Sequence, residues 1–136
     1  MIRTERLTLS MLTLQEWAQV AAGRVDGAAP DYPTEGDVVV ARLIASGDWA
    51  NDEWGPLQVR RVEDGLAIGG VGGKGAPDDA GRVEIGYGLA ESARGQGYAT
   101  EAVLGLIDWL RDQGVREVLA ECDPGNAASI AVLRRC

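Results

Sequence analysis

The sequence predicts an α/β domain of the α+β kind, a sheet flanked by helices, on three observations. Short segments of alternating polar and apolar residues recur at 6–12, 57–62, 66–71, 82–90 and 115–122. Apolar residues at helical spacing recur between them, most regularly at 97–112. A length of 136 residues with 46% hydrophobic content is enough for one real core, so residues 1–136 read as one domain.

Arg6-Leu7-Thr8-Leu9-Ser10-Met11-Leu12 forms an edge or near-edge strand with Leu7, Leu9 and Met11 facing inward. Thr13 and Glu16 make a capping box, and Leu14, Trp17, Ala18 and Ala21 give the helix that follows its inner face until Gly23 stops it. Residues 23–37, rich in Gly, Ala, Pro and Asp, form a loop. A second helix runs from Thr34 or Asp37 to Ile44, although Val38-Val39-Val40 suits a strand equally well. Trp49 and Trp54 flank an acidic turn and read as packing anchors. Leu57–Val62 and Leu66–Val71 are strands joined by the hairpin turn Glu63-Asp64-Gly65.

Gly70-Val71-Gly72-Gly73-Lys74-Gly75 fits the dinucleotide fingerprint formally. It fails in context, because the turn-forming run Ala76-Pro77-Asp78-Asp79-Ala80-Gly81 follows where a helix is required. It reads as the mobile end of a hairpin. In the next strand, residues 82–90, Val83, Ile85, Tyr87 and Leu89 share a face while Gly86 and Gly88 leave the other nearly bare. Glycines there imply a bulge or the close approach of a ligand or chain. On the helix 97–112, Ala99, Ala102, Val103, Leu106, Ile107 and Leu110 face inward, Glu101, Asp108 and Arg111 face water, and Gly114 caps the end. Val115, Val118, Leu119 and Ala120 start a fifth strand that runs to Cys122. Asn126 then caps a last helix with Ser129 one turn in.

The segment Arg94-Gly95-Gln96-Gly97-Tyr98-Ala99 joins a strand to the strongest helix. Backbone N–H groups at a helix start have no intrahelical partner and lie at the positive end of the macrodipole, so such a junction suits phosphate. Glycines let an anion reach the backbone and can adopt φ > 0, and Arg94 adds a charge-assisted donor. A tight turn with an exposed arginine would explain the same residues structurally.

The spacing Arg-x-x-Gly-x-Ala at Arg94, Gly97 and Ala99 resembles the acetyl-CoA signature of the GNAT superfamily of N-acetyltransferases. The likeness extends through Glu84-Ile85-Gly86-Tyr87, Ala90-Glu91, Thr100-Glu101-Ala102 and Asp123-Pro124-Gly125-Asn126-Ala127-Ala128-Ser129. Thr4-Glu5-Arg6-Leu7 resembles the opening of the RimJ/RimL-like branch, which acetylates protein N-terminal amines and includes relatives acting on small amines. The resemblance implies a mixed, mostly antiparallel central sheet and a bulged strand at 82–90 whose backbone at Tyr87 and Leu89 receives the pantetheine arm. It assigns acetyl-CoA, as cosubstrate, to Tyr87, Leu89, Arg94, Gly95, Gln96, Gly97, Tyr98, Ala99, Thr100, Asn126 and Ser129. An N–H near Tyr87 would face the thioester carbonyl, and Ser129 would lie near the sulfur. Where many relatives carry a tyrosine that protonates the departing thiolate, this chain has Leu133, which leaves Ser129 or water. The loop 23–37 would contribute to the acceptor site, with Tyr32 a candidate lining residue. Relatives continue past the position of Cys136 with two more strands, so the resemblance implies an incomplete C-terminus or a partner chain over the fifth strand.

Composition narrows the chemistry. A net charge of -8 argues against a general nucleic-acid binder and suits a cationic amine, although many proteins are acidic. Without histidine, a proton acceptor must be a carboxylate, a tyrosine, a terminus or water. Two cysteines, Cys122 and Cys136, give neither a disulfide framework nor metal spacing, and no apolar run suits a signal peptide or a membrane span, so the cytoplasm is the expected compartment. Glu84 is the nearest strand carboxylate to serve as base, and an ion pair with Arg82 or another basic residue is its structural alternative. The expected reaction is direct attack of a small-molecule or peptide amine on acetyl-CoA. The rival expectation is a silent acyl-CoA-binding or regulatory module, and a homodimer is left open.

Overall fold

The computed structural model describes residues 1–120. Its elements are β1 (Ile2–Arg3), β2 (Leu7–Ser10), α1 (Leu14–Ala21), α2 (Glu35–Ala45), β3 (Pro56–Arg61), β4 (Ala67–Gly73), β5 (Arg82–Leu89), a 3-10 turn (Glu91–Ala93), α3 (Tyr98–Asp112) and β6 (Glu117–Ala120). Among the described residues the strands form one sheet in chain order. Hairpin-type succession makes the first five strands antiparallel neighbours, and the crossover through α3 makes β5 and β6 parallel. The expected mixed, mostly antiparallel sheet is therefore present.

The predicted capping box forms, and the second helix has one that the sequence reading did not assign. Thr13 and Glu16 close the start of α1, and Thr34 and Asp37 close the start of α2. That cap settles the ambiguity at Val38-Val39-Val40 in favour of helix. The two helices share a small core of Leu12, Trp17, Val20, Ala41 and Ile44, while α3 packs Ala102, Val103, Leu106 and Leu110 into the main core with Leu7, Leu9, Val83 and Ile85. Trp54 meets Trp109 at 5.3 Å between tilted rings, an anchor as expected.

Several expectations need correction. Met11 is 52% exposed, because β2 ends at Ser10 and the chain's turn buries Leu12 instead. Leu14 is 58% exposed and Ala18 is also exposed, so the inner face of α1 is carried by Trp17 and Val20. Val115 precedes β6, which begins at Glu117. Gly70 to Gly73 are no hairpin tip: they lie inside β4. A Cβ at Gly72 would stand 2.5 Å from the Gly55 carbonyl oxygen, and one at Gly73 would stand 2.4 Å from that of Trp54. These glycines let β3 and β4 approach each other. The ladder between β4 and β5 runs in register from Gly69↔Leu89 to Gly73↔Ile85, so β5 has no bulge against β4; the register shift falls between β3 and β4, where Val59 and Arg60 pair with Gly69 and Ala67 and Ile68 is the extra residue. Cys122, Asn126, Ser129, Leu133 and Cys136 lie outside the described residues.

Candidate functional site

Two surfaces meet along β5. The first is the start of α3, where Gly97 occupies the N-cap position in the left-handed region (φ 81, ψ 4) and Gly95 is also left-handed (φ 78). An L side chain at either position would be strained. No side chain caps this end, in contrast to α1 and α2. The first backbone donor satisfied there is Glu101 N–H, which donates to the Gly97 carbonyl at 3.0 Å. The donors of Tyr98, Ala99 and Thr100 therefore stand at the positive end of a 15-residue helix with no intrahelical acceptor. Among the described residues a Cβ at Gly95 would meet nothing within 4 Å.

The loop is held from below by residues that the sequence reading did not assign. Glu101, expected to face water, is only 18% exposed in its side chain. It accepts hydrogen bonds from Thr4 Oγ1, from Arg6 N–H at 2.8 Å and from Arg6 Nε at 2.6 Å. Arg6 in turn donates from Nη1 to the Gln96 carbonyl at 3.0 Å and lies over the Tyr98 ring, 4.4 Å from its centroid. Thr4-Glu5-Arg6 thus acts as a strap beneath the glycine loop. The Tyr98 side chain is buried, so only its backbone faces the loop's open side. The signal that could have found the strap was Glu101 itself, an acidic residue one turn into a helix whose other apolar positions are core.

Burial alone would raise the Glu101 pKa, but the Thr4 hydroxyl, the Arg6 N–H and the guanidinium outweigh it and hold the group below its ordinary 4.5. A depressed folded-state pKa contributes stability that is complete above about 4.5 and lost as pH falls through the folded value. Glu101→Gln is expected to lower unfolding free energy at neutral pH by about 1–3 kcal/mol, with the gap to wild type closing in acid, as denaturant titrations at several pH values would measure.

Arg94 is exposed, and its Nε donates to the Leu89 carbonyl at 3.3 Å. The turn 91–93 is tied to the loop 23–37 by Ser92, whose N–H and hydroxyl both donate to the Asp31 carboxylate. Along β5, Ala90 N–H donates to the Ile68 carbonyl and Lys74 N–H donates to the Glu84 carbonyl, both at 2.8 Å. Antiparallel alternation then directs the backbone groups of the even residues to β4 and those of Tyr87 and Leu89 to the opposite edge. Pairing with β6 along that edge covers Arg82↔Glu117 to Ile85↔Ala120.

The second surface is a cavity of about 260 Å³ between α1, α2 and the sheet. Its floor includes two cross-strand glycine pairs, Gly70↔Gly88 and Gly72↔Gly86. Among the described residues a Cβ at Gly88 would meet nothing within 4 Å and one at Gly86 only the Lys74 side chain at 3.9 Å, so here glycine leaves room rather than permitting close approach. Trp17, Tyr32 and Trp49 wall the cavity, so the loop residue Tyr32 does line it. The Trp17 indole donates to Asn51 Oδ1 at 3.2 Å, whereas the buried Trp49 indole N–H has no acceptor among the described residues. Tyr32 is buried, its hydroxyl accepting from Gln58 Nε2 at 3.1 Å, and burial pushes its pKa up to about 12. Glu84 lies half-exposed in an ion pair with Lys74 at 2.9 Å, the structural alternative that its sequence position allowed.

The site thus sets an uncapped, glycine-led helix into the crossover between two parallel strands of a mixed sheet. The chain belongs to the GNAT family: the acetyltransferase (GNAT) domain model matches residues 6–136. It is similar to an uncharacterized N-acetyltransferase of Bacillus subtilis, YjdG, with 38% identity over 69 residues, which is 50% of this chain and 41% of that protein. The match thus spans less than half of the curated relative. The fold resembles that of an acetyltransferase from Agrobacterium tumefaciens at TM-score 0.69 and 28% identity, over 98% of this chain and 80% of the other. It also resembles RimL, a ribosomal L7/L12 α-N-protein acetyltransferase solved with coenzyme A, at TM-score 0.67 and 20% identity, over 97% and 79% of the two chains. Among the described residues no helix is long and apolar enough to cross a membrane.

Proposed function

We propose that the chain is an N-acetyltransferase that moves an acetyl group from acetyl-CoA to a primary amine, either a protein N-terminus or a small amine, in a ternary complex. The observation that carries this reading is the start of α3, where three consecutive N–H donors have no intrahelical acceptor, two glycines are left-handed, and the Cβ position of Gly95 is open among the described residues. That cradle fits a diphosphate, and Gly95, Gln96, Gly97, Tyr98, Ala99 and Thr100 would hold it largely through the main chain, with Arg94 at its rim. The backbone of Tyr87 and Leu89, turned toward the β6 side, would carry the pantetheine arm as an added strand. Asn126 and Ser129 are proposed to contact the same arm.

The chemistry follows from placement. The amine lone pair attacks the thioester carbonyl, a C–N bond forms, and the C–S bond breaks to release the thiol. The protein's share is to align the two reactants and to aim an N–H near Tyr87 at the developing oxyanion. Glu84 is proposed to take the amine proton. Its half-exposed pair with Lys74 is worth roughly 0–1 kcal/mol and is easily given up. Ser129 or water returns a proton to the thiolate.

The same Lys74 pairing favours the second reading, an acyl-CoA-binding module without turnover. Calorimetric titration with coenzyme A and thiol release from acetyl-CoA across a panel of amines test both. Saturable binding with amine-dependent thiol release is expected; binding without release would leave the silent module, and absence of binding would sink both.

A further inference from the structure

The cavity walled by Trp17, Tyr32 and Trp49 is bordered by two charged side chains, Asp37 and Lys74. Lys74 is already paired with Glu84 at 2.9 Å. Among the described residues Asp37 has no cationic partner: its Oδ2 accepts the N–H and the hydroxyl of Thr34 at 2.9 and 2.8 Å, while Oδ1 accepts nothing. That second oxygen lies over the glycine floor, 3.5 Å from where a Cβ on Gly70 would stand.

Helix capping explains only half of this arrangement. The capping box at the start of α1 does the same work with Glu16, which is exposed. Capping therefore does not require a carboxylate turned inward against an apolar cavity. A charge placed there is costly unless a cation joins it. Burial indeed raises the Asp37 pKa, and the Thr34 hydrogen bonds offset that only in part. The surroundings suit a cation with an apolar body, because three aromatic side chains wall the space that its carbon frame would fill. At about 260 Å³ the space lies below the usual range for drug-sized ligands, roughly 300–1,000 Å³, so it admits a small amine or the leading end of a larger one.

We propose that Asp37 Oδ1 receives the ammonium group of the acceptor, and that this cavity selects primary amines carried on a compact apolar or aromatic body. The inference rests on the acetyltransferase reading for its biological sense, but binding tests it without turnover. The probes are 2-phenylethylamine and its uncharged analogue 2-phenylethanol, followed by fluorescence of the cavity tryptophans in the full chain. Wild type is expected to bind the amine at least tenfold more tightly than the alcohol. Asp37→Asn, which keeps an oxygen for the Thr34 hydrogen bonds, is expected to erase that preference, leaving alcohol binding and coenzyme A binding unchanged. Asp37→Ser is a second variant should the first fold poorly, and the wild-type comparison needs no variant. Equal binding of the two probes by wild type, binding of neither, or a preference that survives in Asp37→Asn would overturn the assignment. Loss of coenzyme A binding in wild type would instead sink the acetyltransferase reading while leaving the amine preference to stand or fall by its own titration.

Discussion

Gly97→Val is expected to weaken coenzyme A binding by roughly 100-fold, about 2.8 kcal/mol, in a calorimetric titration. Two effects add. At φ 81 a β-branched residue costs about 1–3 kcal/mol of strain, which the loop relieves by abandoning the left-handed turn. Once the turn relaxes, the donors of Tyr98, Ala99 and Thr100 no longer converge. A Cβ there would also stand 3.3 Å from Arg6 Nη2, so the strap that holds Gln96 is displaced as well. The fold should survive, because α3 is secured by its buried face of Ala102, Val103, Leu106 and Leu110. A melting curve close to wild type combined with undiminished affinity would remove the glycine loop from the binding site.

Gly69→Val is expected to destabilise the protein by at least about 3 kcal/mol, a large share of the roughly 5–15 kcal/mol that holds a domain of this size. A Cβ at Gly69 would lie 2.2 Å from the Gly88 carbonyl oxygen and 2.8 Å from Leu89 Cδ2. The first obstacle is backbone in the adjacent strand, so no rotamer change relieves it. Chemical denaturation would register the loss as a lower midpoint. A substitution at Gly88, whose Cβ position is open, is expected to leave stability nearly intact and to disturb the cavity instead. Opposite outcomes at two cross-strand glycines one register apart would separate glycine used for close approach from glycine used for space.

Much of this architecture was legible from local signals. Thr13 with Glu16 announced a helix start, and Glu63-Asp64-Gly65 announced a hairpin, because each is written within a few residues, whereas the pairing of Thr34 with Asp37 was not read and left Val38-Val39-Val40 open between helix and strand. The glycine loop before α3 was equally plain. What local patterns could not convey was contact between distant segments. Glu101 looked like a solvent-facing residue until Thr4 and Arg6 were brought beneath it. Gly70 to Gly73 suggested a loose tip, since composition does not say that the chain entering β3 crowds one side of the strand and a cavity lies on another. Asp37 was read only as a helix start. Its second oxygen acquired meaning when the loop bearing Tyr32 closed the cavity over it.

The bond between Thr4 and Glu101 joins residues 97 positions apart in the chain. Closing so long a segment carries an entropic cost that is met only after the intervening strands are in place, so this contact belongs among the last to form. During refolding, the capacity to hold a pyrophosphoryl group is therefore expected to return later than the signal of sheet formation.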